Sequence, residues 1–334
     1  MSRRTPSDVI EALGHARIER APKRARDIGS AFWSARALPD LTKLPKLVRL
    51  TMYRAIGEAE LPELFERVSA SSTLEDLALV GCDIAALPDD LSRLRRLASL
   101  HVEQAELSTL PASIGRLAQL EELWIRACPV RELPASLGEL TSLEALRILA
   151  APYAPGSLRR MPALDRAASL AHVGLGYLPE LEDAAFLTRL PALRSVELAG
   201  RVTARGVPEA LSLLTELRAL ALRDTAELPR AVAGMRALQT LYFVESSCAR
   251  LPDWLPELTS LRYLALHGDR TLEPSSIVDV ATHMPGLVRL FLPYPFEAAS
   301  RDRLKAIGFV TNRTSPSVMS RGADDVVDPF PFVR

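Results

Sequence analysis

The fold is decided by three consecutive segments: LEDLALVGCDIAALPDDLSRLRR (residues 74–96), LASLHVEQAELSTLPASIGRLAQ (residues 97–119) and LEELWIRACPVRELPASLGELTS (residues 120–142). All three share the frame L-x-x-L-x-L-x-x-x-x-[ILV]-x-x-L-P-x-x-[IL]-x-x-L over 23 residues. The alternating L-x-L at the start is typical of a short strand, and the later apolar residues, three or four apart, are typical of a helical turn. Each segment therefore predicts one strand followed by one turn of helix.

The same opening, L-x-x-L-x-L, recurs along most of the chain at spacings of 21 to 27 residues. A single unit of this length cannot bury all of its apolar side chains, so neighbouring units must stack. Stacking joins their strands, about 4.8 Å apart, into one parallel sheet. The registers begin at Leu47, Leu74, Leu97, Leu120, Leu143, Leu170, Leu193, Leu217, Leu238, Leu261 and Leu287.

A proline recurs between the strand and the helical turn, at Pro88, Pro111, Pro134, Pro229 and Pro252. Proline has a fixed φ and no N–H, which suits a first helical turn. We expect these prolines at the entry to the helical side of each repeat.

The frame resembles that of the leucine-rich-repeat superfamily. It is similar to the L-P-x-x-[IL]-x-x-L type of Ras-associated repeat proteins, plant intracellular repeat proteins and bacterial type III effectors, over about residues 38–292. The resemblance implies an α/β fold, a right-handed horseshoe solenoid with a parallel sheet on its concave face and short helices or 3-10 turns on its convex face. The chain departs from the family at the ninth position, where the usual Asn is absent from most repeats and is replaced by Cys82 and Cys128 in two of them.

An open sheet needs a cap at each end, because its edge strands would otherwise stay unpaired. Residues 1–46 are predicted to form a helical cap, beginning near Thr5, and a degenerate repeat. Residues 47–292 hold ten to eleven repeats. Residues 293–312 hold a capping helix that ends at Gly308, and residues 313–334 form a loosely held tail.

The overall charge gives no reason to expect a nucleic acid or a membrane as the partner. Lys plus Arg and Asp plus Glu both number 41, so the net charge is zero. No apolar run approaches the ~18 residues of a membrane helix, and no apolar segment follows Arg3 and Arg4 as an export signal would require. We expect a cytoplasmic monomer, with secretion into a host cell without a cleaved signal as the alternative.

No motif of an enzyme or cofactor site is present. The sequence lacks G-x-S-x-G, H-E-x-x-H, a P-loop and C-x-x-C. His101, His172 and His267 fall in separate repeats, too far apart to share a metal ion. Cys82 and Cys128 should point inward and Cys248 should fill an apolar slot, so we expect structural free thiols. The chain is predicted to be no enzyme and to use neither metal nor cofactor.

The third, fifth and seventh residues of each repeat should face away from the core, on the concave face. Aromatic and arginine side chains there favour a protein or peptide partner. Two patches are predicted, flanking a shallow saddle of small residues: Gly174, Gly176, Ser195, Ala199, Ala219 and Ala221. The predicted partner-binding residues are His101, Glu103, Glu122, Trp124, Arg126 and Arg147 in the first patch, and Tyr242, Tyr263, His267, Arg289 and Phe291 in the second.

Three functions remain open. The favoured one is a binding scaffold or regulator without catalytic activity. The second is a secreted bacterial effector that binds a host protein; some effectors with such repeats also carry a ubiquitin-ligase domain, for which the residues after the last repeat are too few. The third is an enzyme with a site split across Glu103, Glu122 and His101, which is least favoured because exposed carboxylates lack the desolvation that tunes catalytic pKa values.

Overall fold

The computed structural model describes residues 30–33, 38, 40–41, 46–71, 73–150, 158–178, 180–182, 184–200, 211–266, 271–293, 296–312 and 317–321. The chain separates into two compact units, residues 1–170 (unit 1) and residues 171–334 (unit 2). Each unit is described by itself.

The described part of unit 1 is built on parallel strands that pair in chain order. A helix follows the second strand, and short 3-10 helices follow the fourth and fifth. The strands are β1 (Ser30–Trp33), β2 (Arg49–Tyr53), β3 (Asp76–Val80), β4 (Ser99–Glu103), β5 (Glu122–Cys128) and β6 (Ala145–Ala150). The helices are α1 (Leu61–Ala70) and the 3-10 helices Ala112–Arg116 and Ala135–Glu139.

Unit 2 repeats this arrangement and ends in two antiparallel strands. Its parallel strands are β7 (His172–Gly176), β8 (Ser195–Ala199), β9 (Ala219–Arg223), β10 (Thr240–Val244), β11 (Tyr263–Ala265) and β12 (Arg289–Phe291). Strand β14 (Val318–Ser320) pairs antiparallel with β12, and β13 (Val310–Thr311) pairs antiparallel with β14. The helices are α2 (Pro274–Thr282), α3 (Ala298–Ala306) and the 3-10 helices Ala185–Arg189, Arg230–Gly234 and Leu255–Glu257.

The predicted strand register is confirmed. In each repeat, a strand begins two residues after the first leucine of the L-x-x-L-x-L motif, and these strands are β2 to β12. Equivalent leucines of neighbouring repeats are paired in register, as Leu100, Leu123 and Leu146 are in unit 1, and these three are completely buried. The leucines therefore fill the interior behind the sheet, as the alternation required.

Three of the recurring prolines lie at the entry to 3-10 helices, as the sequence predicted. Pro111, Pro134 and Pro229 lie one residue before their 3-10 helices, with extended ψ values of 149°, 146° and 136°. They are N-caps and not first helical residues. The five-residue 3-10 helices that follow Pro111 and Pro134 begin at Ala112 and Ala135.

The eighth residue of most described repeats has a left-handed backbone, which the sequence did not reveal. It is Arg54, Gln104, Ala127, Tyr177, Asp224 or Glu245, with φ between 50° and 55°, or Gly81 or Gly200. In several repeats this turn aims the N–H at the next repeat: Gln104 N donates to Arg126 O at 2.9 Å, and Tyr177 N donates to Ala199 O at 3.0 Å. The bond extends the ladder by one residue at the end of the strand.

Two glycines in unit 1 allow the backbones of successive repeats to approach closely. A Cβ atom on Gly115 would lie 2.3 Å from Ser136 O, and one on Gly138 would lie 2.0 Å from Ala163 O. Both distances are far below van der Waals contact. Gly234, one position further along its 3-10 helix in unit 2, has no such neighbour within 4 Å. The first two glycines are therefore required by packing and the third is not.

The ends of the chain differ in part from expectation. Helix α3 (Ala298–Ala306) lies in the segment predicted to hold a capping helix, and Gly308 follows it with φ 98°. Strand β14 was not predicted, because residues 313–334 read as a loosely held tail. The N-terminal helix near Thr5 lies outside the described residues, and the backbone at residues 30–33 forms β1, paired with β2.

Candidate protein-binding surface

In each unit, the strands have one side that packs on the leucine-filled interior and one side that faces away from it. The side that faces away is called the outer sheet face, and it corresponds to the predicted concave face. Strand alternation places the third, fifth and seventh residues of every repeat on it. Residues from neighbouring repeats align across this face: His101 pairs with Trp124, and Trp124 pairs with Arg147. The first predicted patch is thereby assembled from β4, β5 and β6.

A stack of three side chains forms the centre of the first patch. The imidazole of His101 and the indole of Trp124 are nearly parallel, with ring centroids 4.5 Å apart and an interplanar angle of 7°. The guanidinium carbon of Arg147 lies 5.4 Å from the centroid of Trp124. Because β5 lies between β4 and β6, the Trp124 ring is held between a histidine and a cation.

Charged side chains surround the stack. Arg126 Nη1 lies 3.2 Å from Glu103 Oε1, and the Arg126 side chain is 59% exposed. Glu122 Oε2 lies 3.7 Å from His101 Nε2, and the Glu122 side chain is partly exposed. Arg147 is only 9% exposed, so the patch combines an almost buried cation with accessible charges at its margin. Such a mixture is typical of an interface with a desolvated centre and a polar rim.

The Ser99, His101 and Glu122 side chains do not form a hydrolytic triad. His101 Nε2 lies 3.0 Å from Ser99 Oγ and also 3.7 Å from Glu122 Oε2, so both contacts are made to one ring nitrogen. A catalytic histidine needs the nucleophile on one nitrogen and the carboxylate on the other, since it passes a proton between them. The split site over Glu103, Glu122 and His101 stays a prediction.

An open groove of about 400 Å³ adjoins the stack over strands β2 to β5. His101 and Glu122 line it on one side, and Arg49 and Asp76, an ion pair between neighbouring strands, line it on the other. The sequence carried a signal for this pair, which we missed: the third positions of two successive repeats have opposite charges. The groove extends the first patch toward the N-terminal strands of unit 1.

The second predicted patch is assembled, but its tyrosines are not exposed. Tyr263 pairs with Arg289, whose guanidinium carbon lies 5.2 Å from the tyrosine ring centroid. Tyr242 and Tyr263 are each 2% exposed, and their strand phase is nevertheless as predicted because Leu241 and Leu264 occupy the interior. Arg289 and Phe291 are partly exposed. The expectation of exposed tyrosines was wrong, since alternation gives the direction of a side chain and not its accessibility. His267 lies outside the described residues.

The saddle of small residues is deeper and more polar than predicted. Ser195, Ala199, Ala219 and Ala221 are all at most 1% exposed. Glu197, which the sequence reasoning overlooked, is completely buried among them, and its Oε1 accepts a hydrogen bond from Arg223 Nε at 2.8 Å. The saddle is therefore buried and holds an ion pair whose carboxylate is fully buried, and it is not a shallow open depression.

The cysteines agree with expectation at two of three positions. Cys82 and Cys128 are buried free thiols. Burial raises the pKa of Cys82, and it raises the pKa of Cys128 to about 11. Cys248 was expected to fill an apolar slot but is partly exposed, with its thiol directed at Arg250 O at 2.7 Å. The two buried thiols are poor nucleophiles because they stay protonated.

Within the described ranges, no group of three or more His, Cys, Asp or Glu residues is suited to a metal ion. Over the same ranges, no helix combines the length and apolar character required to cross a bilayer.

Stacked coils of one strand and one short helical segment define a repeat protein. A family model described as "Leucine-rich repeat region" matches residues 34–166. The matched segment contains the repeats whose frame indicated leucine-rich repeats.

Solved structures with leucine-rich repeats are similar in fold. The repeat domain of the type III effector XopL has a TM-score of 0.50 at 20% identity, over 89% of this chain and 98% of that one. An internalin from Listeria monocytogenes has a TM-score of 0.47 at 15% identity, over 90% of this chain and 86% of that one. A leucine-rich-repeat protein from Leptospira interrogans has a TM-score of 0.40 at 17% identity, over 87% of this chain and 96% of that one. The sequence has no significant match among curated proteins.

Proposed function

We propose that the chain is a non-enzymatic scaffold that binds a protein or peptide on the outer sheet face of unit 1. The observation that supports this most is the stack of His101, Trp124 and Arg147. Tryptophan and arginine are the side chains that most often dominate binding energy at protein interfaces. A rigid stack also loses little side-chain entropy when a partner binds.

The stack determines how a partner would approach. His101 covers one face of the Trp124 ring and Arg147 lies over the other, so the partner would meet the ring edge. Arg126, with its exposed guanidinium, and Glu122 stand beside that edge and would supply hydrogen bonds to polar groups of the partner. Tyr242, Tyr263, His267, Arg289 and Phe291 remain a second proposed patch, in which Arg289 and Phe291 are the partly exposed members.

The test is capture of partners from the native cell followed by calorimetry with the purified partner. The variant Trp124→Ala/Arg126→Ala should bind at least about 30-fold more weakly, equivalent to about 2 kcal/mol, while its melting curve stays cooperative. The matched control is Arg93→Ala/Arg95→Ala, which removes two exposed cations from the turn region of unit 1. Equal affinity for all three proteins would exclude the first patch as the binding site.

A second candidate is a bacterial effector that binds a host protein. The observation that favours it is the lysine distribution: Lys23, Lys43, Lys46 and Lys305 are all the lysines in the chain, and none lies in the repeats. Few lysines would limit ubiquitination inside a host cell. Delivery into host cells that stops when the secretion system is disabled would support this candidate, and delivery-independent activity in the bacterium would oppose it.

A further inference from the structure

The groove of unit 1 has a floor of small side chains between two acidic walls. Ala98 and Ser99, at the start of β4, form the floor. The walls are pairs of carboxylates at the same two positions of the neighbouring repeats. These pairs are Glu75 with Asp76 at the start of β3 and Glu121 with Glu122 at the start of β5. The groove therefore exists because β4 has small residues where both of its neighbours have carboxylates.

The groove is accessible and has the size of a ligand site. Its volume of about 400 Å³ lies within the range of about 300–1,000 Å³ that is usual for ligand-binding clefts. Glu121 is exposed, and Asp76, Ala98 and His101 are partly exposed. From β3 to β5 is two strand steps, about 10 Å at the usual spacing. One side chain from another molecule can therefore enter between the walls and contact both.

The lining stays acidic after its own ion pairs are considered. Asp76 is paired with Arg49, and Glu75 Oε1 lies 3.2 Å from Arg96 Nη2. Among the described residues that line the groove, Arg49 is the only arginine or lysine. Glu121 has no ion-pair partner in the part of unit 1 that the structure describes. A paired carboxylate also keeps lone pairs for a second donor. The groove therefore favours a cation over an anion.

His101 adds a flat surface at the edge of the groove. One face of its imidazole stacks on Trp124, which lies on β5. On the opposite side, the residue paired with His101 is Ala78 of β3, whose side chain ends at Cβ. The second face of the imidazole is therefore turned toward the groove. A planar guanidinium can stack on that face, whereas the ammonium group of lysine has no flat surface to offer.

We propose that the groove binds an arginine side chain from an extended segment of the partner. The guanidinium lies over Ala98 and Ser99 and stacks on His101. Its donors are directed to Glu121 on one wall and to Glu75 on the other, since five N–H groups in one plane can serve acceptors on two sides. The inference rests on the proposed function, because it names the chemistry of the partner that the outer sheet face of unit 1 binds.

The test uses two synthetic peptides in place of the partner. Both are fluorescein-labelled and consist of glycine and serine except at every third residue, which is arginine in one peptide and citrulline in the other. Citrulline has a similar shape and no positive charge. In fluorescence anisotropy with the full chain at low salt, the arginine peptide should bind at least about tenfold more tightly than the citrulline peptide.

Two variants distinguish the groove from the surface charge of the whole protein. Glu75→Gln/Glu121→Gln removes one carboxylate from each wall, and Ala98→Phe fills the floor while all four carboxylates remain. Each should weaken binding of the arginine peptide at least about tenfold, with a cooperative melting curve retained. The matched control Glu132→Gln/Glu139→Gln removes the same charge from exposed positions after β5. It should leave the affinity within about twofold.

Equal affinity for the arginine and citrulline peptides would overturn the inference. An equal loss in the control variant, or normal binding by folded Ala98→Phe, would also overturn it, because the attraction would then be to general surface charge. Binding too weak to measure at about 1 mM peptide would do the same. The proposed function fails on a different result, which is a captured partner that binds Trp124→Ala/Arg126→Ala as tightly as it binds the unmodified chain.

Discussion

The imidazole of His101 stacks on the indole of Trp124 with ring centroids 4.5 Å apart and planes 7° from parallel. The two residues are 23 positions apart in sequence, one repeat length, and lie opposite each other on paired strands. A repeat array places equivalent residues side by side, so a stack of this kind requires only suitable side chains at one position of two successive repeats.

We predict that the stack contributes a measurable coupling energy. A double-mutant cycle of His101→Ala and Trp124→Ala, followed by urea unfolding, should give a coupling of about 0.5–1.5 kcal/mol. The cycle of His101→Ala with Tyr53→Ala, two strands away, should be additive within about 0.3 kcal/mol. Additivity in the first cycle would show that the stack contributes nothing to stability.

Replacing glycines in the 3-10 helices by alanine should distinguish the effect of close packing on stability from the effect of helix propensity. Gly115→Ala should destabilise the protein by at least about 2 kcal/mol, because the new Cβ would meet the backbone oxygen of Ser136. Gly234→Ala should be neutral or slightly stabilising, since open space surrounds that position and alanine favours helix. Thermal unfolding of both variants measures the difference. Equal effects would mean that the 3-10 helices of unit 1 are not in close contact.

Replacing a residue that has a left-handed backbone by glycine should stabilise the protein. Ala127 has φ 52°, a conformation that costs a non-glycine residue about 1–2 kcal/mol. Ala127→Gly removes this strain. Glycine also gives the unfolded chain more conformational freedom, which lowers the stability by roughly 0.5–1 kcal/mol. We therefore expect a net gain in stability of about 0.5–1 kcal/mol. Ala105→Gly, at a buried position in the neighbouring repeat outside the set with positive φ, should instead destabilise the protein. Chemical denaturation of the two variants gives the sign directly.

The buried thiol of Cys128 should make stability fall at alkaline pH. Its pKa is raised to about 11 in the folded chain, whereas an unfolded cysteine has a model value of 9.0. Between these values the unfolded state has lost the proton and the folded state keeps it, so the free energy of unfolding decreases as pH rises, by roughly 2–3 kcal/mol in total. Below pH 9 this thiol has no effect on the pH dependence.

Cys128→Ala should remove that part of the alkaline loss. Unfolding free energies of the two proteins measured from pH 8 to pH 11 should therefore converge as pH rises. Parallel curves would show that the thiol ionises equally well in both states.

In native protein at pH 8, a thiol reagent should modify Cys248 first, because Cys82 and Cys128 are buried and protonated.

The candidate surface was predictable where one repeat determines its geometry. Trp124 and Arg126 could be assigned to the outer sheet face from L-x-L alternation alone, and the register of neighbouring repeats brought His101, Trp124 and Arg147 together. Glu197 was overlooked because the small residues around it, and not the carboxylate, dominated the pattern. The burial of Tyr242 could not be predicted, since alternation gives the direction of a side chain and says nothing of what lies above it.

The sequence alone determined the repeat unit and the strand phase, because the leucine spacing allows one way for successive coils to bury their apolar sides. The tertiary structure decided what depends on contacts between repeats: the left-handed turn at the eighth position, the close approach at Gly115, and the stacked and buried parts of the outer sheet face. The physical reason is that hydrophobic periodicity acts within each repeat, whereas steric fit and desolvation arise only between residues that folding brings together.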